Sequence, residues 1–111
     1  MRAPSQILQK PDYGLMSAAR IVAAVAAFKE RYGTWPESIH ADAGMVDGLR
    51  EHVLTELGCD LLRAAMDLHT DAPGSVIAAG NGQRLEYGDQ SPSMATQTEA
   101  AVWIWGTDFK D

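Results

Sequence analysis

Hydrophobic positions along the chain fall into blocks, and their spacing changes from block to block. Between Leu15 and Tyr32 they recur at helical intervals. Ile21, Val25, Phe28 and Tyr32 stand at i, i+4, i+7 and i+11 and share one face, with alanines filling much of the rest. The pattern predicts a helix that starts near Gly14 to Ser17, ends at Tyr32 and is capped by Gly33. A helix apolar nearly all round belongs at the centre of a fold or against a second copy of the chain. Ile21, Val25 and Phe28 are therefore candidate interface residues.

The spacing then shifts to two. Pro36 forces Trp35 into an extended conformation, and the ring is expected to anchor the turn. Over residues 38–41 Ile39 and Ala41 share one face of a short strand, while His40 shares the other with Asp42. Asp42 suits the N-cap of a second helix over 43–54, with Met45 or Val46, Leu49 and Val53 inward. Thr55 suits the cap of a third helix over 56–68, with the stripe Leu57, Leu61, Ala65 and Leu68; the run Asp71 to Gly74 ends it. Two strands, 75–80 and 83–88, flank Asn81-Gly82, the preferred pair for a type I′ hairpin turn. That turn sets Val76 opposite Tyr87 and Ala78 opposite Leu85 on the core side, with Ile77, Ala79, Arg84 and Glu86 on the other. Near the end, Thr96-x-x-Glu99 reads as a capping box and Gly106 as a stop, which predicts a helix over 97–105. Val102 to Trp105 also has strand propensity. On a helix, Trp103 and Trp105 are separated by about 200°. Either at least one of them is then exposed or in an interface, which makes both candidate interface residues, or the short terminal segment packs in a cleft with both rings covered.

The expected fold is thus α/β of the α+β kind: a single domain over 14–111, in the order α-β-α-α-β-β-α. It has a small sheet of about three strands, including the hairpin, packed against helices. Residues 1–13, with Pro4 and Pro11, read as an irregular arm. The turn Tyr32-Gly33-Thr34-Trp35-Pro36, the Asn81-Gly82 hairpin and the strand end Tyr87-Gly88 resemble a family of small uncharacterised bacterial α/β proteins marked by a G-x-W-P turn and a Y-G strand end. The resemblance spans roughly residues 28–88. It implies a bacterial source and this order of elements, and it implies no activity.

Composition narrows the setting. At 111 residues and 46% hydrophobic content the chain suffices for one core without disulfides or metal. The lone cysteine, Cys59, rules out a disulfide scaffold and favours a reduced, cytoplasmic compartment, with a buried thiol. The apolar run Leu15–Phe28 is shorter than the roughly 20 residues a bilayer requires. Arg20 and the continuing helical phase favour a folded helix over a leader peptide. Net charge is −6, divided as +3 over residues 1–31 and −9 over 32–111. Such an acidic body disfavours nucleic acid and suits a basic protein partner; any nucleic-acid contact would use the basic segment 1–31.

Candidate chemistry is sparse. His40 and Asp42, two apart on a strand, project together and can share a proton or a metal ion. A metal site needs further ligands, which His52 or His69 with Asp71 can supply, although no H-E-x-x-H or C-x-x-C spacing occurs. Asp42 as a helix cap and His69 at a helix end are the competing structural roles. No phosphate loop, nucleophile elbow or paired-carboxylate signature is present, and no cofactor or committed metal set is expected. The leading expectation is a non-enzymatic accessory protein that self-associates. The alternatives are a metal-assisted hydrolase using His40 and Asp42, and a weak nucleic-acid binder.

Overall fold

A computed structural model describes residues 13–52 and 56–105, with side chains over 18–50 and 60–105. The expected arm, Val53 to Thr55 and the last six residues lie outside this description, as do the side chains of His52, Leu57 and Cys59. In chain order the elements are α1 (Tyr13–Tyr32), β1 (Ser38–Ala41), α2 (Ala43–His52), α3 (Glu56–Ala65), β2 (Asp67–His69), β3 (Val76–Gly80), β4 (Gln83–Glu86) and α4 (Met94–Trp105).

Helix α1 forms as its periodicity predicts. Gly33 adopts φ +79° and donates its N–H to the Lys29 carbonyl, closing the last turn. Ile21, Val25 and Phe28 are fully buried at the centre of the core. The helix packs on α2 and α4 and lies across β3 and β4. Between Ala18 and Phe28, where side chains are described, most of the apolar circumference that suggested a second copy is covered by this chain itself, with Ala19 exposed. No described helix is long and apolar enough to cross a membrane.

The sheet has four strands in the order β2-β1-β3-β4, one more than expected. β1 pairs in parallel with β2 and antiparallel with β3, and β3 pairs antiparallel with β4. The additional strand comes from the end of the expected third helix. That helix stops at Ala65, and Asp67–His69 turns to pair with β1, carrying Leu68 from the helical stripe into the sheet. Among the described side chains of α3 and its exit, Leu62 and Met66 are the buried ones, while Leu61 is 42% exposed.

The hairpin register is the one the Asn81-Gly82 turn dictates: φ is +52° and +75° at these residues, as type I′ requires, and Ala78 faces Leu85. Tyr87 departs from expectation. Its N–H still meets the Val76 carbonyl at 2.8 Å, but β4 has ended at Glu86 and the chain is turning, so the ring lies 45% exposed beneath the Arg20 guanidinium.

The last element is a helix, and it begins three residues before the expected one. Ser93 is its cap: the Oγ accepts the Thr96 N–H at 3.2 Å, and Glu30 of α1 accepts the Ser93 N–H at 2.9 Å. The two tryptophans find separate cover. Trp105 is buried, and Trp103 stacks on Trp35 with ring centres 4.8 Å apart and planes 7° from parallel. Of the two expected arrangements the packed one is closer: Trp105 is covered, and Trp103 is half-buried against the turn that follows α1.

Candidate functional site on the open face of the sheet

Side chains alternate across the strands, and the helices cover one face only. Ile39, Ala41, Val76, Ala78 and Leu85 point into the core. The other face carries a grid set by register: Asp67, Ser38, Ala79 and Arg84 in one row, His69, His40, Ile77 and Glu86 in the next. A shallow cavity of about 560 Å³ lies on this face. Its floor includes Ile77 and Ala79, and His40, Asp71, Ser75 and Arg84 supply its polar groups.

His40 is held from both ends of its ring. Nδ1 donates to Asp71 Oδ1 at 2.9 Å, and the Ser38 hydroxyl lies 3.3 Å from Nε2. Asp71 reaches this place because the segment after β2 folds back over the end of β1. The Ala72 N–H bonds the Ala41 carbonyl at 3.2 Å, and the Gly74 N–H bonds Asp42 Oδ2 at 2.8 Å. The hydrogen bond and positive potential of His40 hold the Asp71 carboxyl below the usual aspartate range. His69 faces His40 across the parallel pair, the rings stacked 4.7 Å apart and 11° from parallel.

The partnership expected between His40 and Asp42 is not formed. Asp42 lies past the end of β1, and both its oxygens are committed: Oδ1 accepts the Gly44 N–H at 2.8 Å as the cap of α2, and Oδ2 accepts the Gly74 N–H. Those bonds, the one from Gly74 foremost, keep its carboxyl ionised below the ordinary range. Asp42 shapes the site by tying down the loop that delivers Asp71. The i, i+2 rule selected the wrong carboxylate because the correct one is 31 residues away. The available signal was His69-x-Asp71, whose two residues the sequence already offered as further ligands.

His40, His69 and Asp71 form a group whose three ligand atoms lie within 4.8 Å of one another. In a tetrahedral site with bonds of about 2.1 Å, neighbouring ligand atoms are about 3.4 Å apart. The His40–Asp71 edge is already slightly shorter than that; the exposed His69 ring, stacked 11° from parallel on His40, has to leave the stack and turn before its nitrogen lone pair points at the same ion. The chain Ser38–His40–Asp71 also has the connectivity of a nucleophile, base and orienting acid. β1 is paired on both sides, however, so its N–H groups are spent in ladders.

The residues proposed as an interface lie elsewhere. Ile21, Val25, Phe28 and Trp105 are buried within the chain, and Trp103 is half-buried against Trp35. Of the basic segment's five cations, Arg2 and Lys10 lie outside the described residues, and those of Arg20, Lys29 and Arg31 lie over Tyr87, Trp35 and Tyr32 at 5.6, 5.2 and 5.8 Å. No family model, curated protein or solved structure matches the chain.

Proposed function

We propose that this protein binds a divalent transition-metal ion on the open face of its sheet, through His40, His69 and Asp71. The observation that carries the reading is the convergence of two imidazoles and one ionised carboxylate, from two strands and a tethered loop, at the edge of a cavity. Two histidines and a carboxylate form a ligand set that suits zinc and leaves a coordination position for water. The ion takes the place of the proton between His40 Nδ1 and Asp71. The imidazole then carries its proton on Nε2 and donates it to Ser38 Oγ, which fixes the ring's tautomer and orientation. An ion with an open position polarises a bound water or carbonyl, so metal-assisted hydrolysis is the activity to assay first.

Self-association through α1 is not part of this reading, because Ile21, Val25 and Phe28, the residues that motivated it, are buried within one chain. The test is calorimetric titration of zinc into the EDTA-treated full-length protein. One ion should bind per chain, and His40→Ala, His69→Ala and Asp71→Asn should each weaken binding by about tenfold or more. Absence of saturable binding, or binding unaffected by all three substitutions, overturns the proposal.

A further inference from the structure

We infer that the metal-loaded site recruits a phosphate-class oxyanion carried on a small organic group, with Arg84 as the second anchor. This rests on the metal reading above and adds the ligand that the ion presents. Arg84 lines the cavity opposite His40 and Asp71. It stands beside Ala79, whose methyl leaves the guanidinium room to lie over the sheet. Among the described residues it makes no ion pair, since the one found joins His40 to Asp71. A guanidinium facing a cavity is suited to bidentate capture of an oxyanion.

Charge decides when that capture happens. Within the cavity Asp71 and Arg84 cancel, and Glu86, whose Oε2 accepts the Ser75 hydroxyl at 3.2 Å at the rim, tips the metal-free site negative. A divalent ion beside Asp71 reverses the sign. An anion is then attracted from both ends, to the open metal position and to Arg84. Anion and metal therefore bind cooperatively, and by linkage each tightens the other by the same factor. The remaining surface selects the rest of the ligand. Ile77, Ala79, Ala72 and Pro73 line the cavity with apolar surface that an inorganic phosphate would leave uncovered. A phosphate ester with a compact apolar group fits better than free phosphate.

The test uses the full chain, with zinc affinity measured first and phenyl phosphate and inorganic phosphate titrated afterwards into zinc-loaded and EDTA-treated protein. Phenyl phosphate is expected to bind the loaded form about tenfold or more tightly than the metal-free form, and more tightly than inorganic phosphate. Arg84→Gln should remove most of that gain without weakening zinc binding in the absence of anion. Failure of zinc to bind overturns the proposed function and this inference together. Zinc binding with equal anion affinity in both forms, or with affinity unaffected by Arg84→Gln, overturns this inference alone. Inorganic phosphate binding as tightly as the ester overturns the assignment of the apolar wall.

Discussion

The two faces of the sheet are built from the same strands and put to opposite uses. On the covered face Ile39, Ala41, Val76 and Ala78 are almost wholly inaccessible and meet Ile21, Val25 and Phe28 of the core. On the open face the alternate positions hold His40, Ser38 and Arg84, with Ile77 and Ala79 between them. Burial of apolar area, worth about 25 cal/mol per Å², holds the first face together. The second face has almost no such term, and its order comes from hydrogen bonds along the His40–Asp71–loop chain. Stability and chemistry are thus separated by the pleat of a single sheet, and substitutions on the two faces should have different consequences.

The largest effect is expected from Phe28→Ala. Truncating a fully buried aromatic ring of α1, in the core that lies on the covered face, should cost about 3–5 kcal/mol, read as a fall in the denaturant midpoint. Zinc stoichiometry of whatever remains folded should be unaltered. A change below about 1 kcal/mol would mean that α1 does not carry the core.

Glu30 gives a smaller, pH-dependent effect in the covering layer. Hydrogen bonds from the Ser93 N–H first, then from Thr96 and Ser93 side chains, lower its pKa from 4.5 to about 2. A depressed carboxylate stabilises the native state fully above its unfolded pKa and loses that contribution as pH falls through the folded one. The tie between α1 and α4 should therefore weaken from about pH 4.5 down to about pH 2. Glu30→Gln should flatten the stability profile over that window, as thermal unfolding across it will reveal; an unchanged slope refutes the assignment.

The smallest stability effect is expected on the open face. His69 is exposed and is held by stacking on His40. His69→Ala should move stability by no more than about 0.5 kcal/mol. The same substitution is among those expected to impair zinc binding, so stability and metal affinity should part company at this residue. A large loss of stability would make His69 a structural residue and dissolve the contrast between the faces.

Features governed by neighbouring residues were legible from the chain alone. The 3.6-residue stripe through Ile21, Val25 and Phe28 required a buried helix, and Gly33 ended it in the left-handed conformation. Asn81-Gly82 set the hairpin register, and Asp42 was positioned to cap α2. These follow from dihedral preferences and periodicity, which act over a few residues. Tertiary packing decided the rest. Asp67–His69 is a strand only because β1 lies alongside it, and α4 starts at Met94 because Glu30, 63 residues away from Ser93, is there to accept the cap's N–H. Trp103 is covered because Trp35 lies opposite, and His40 takes Asp71 over the nearer Asp42 because the loop after β2 is tied back across the end of β1. Each of these depends on which distant segments are brought into contact, a choice made by burial and hydrogen bonding across the whole fold, and local sequence carries no record of it.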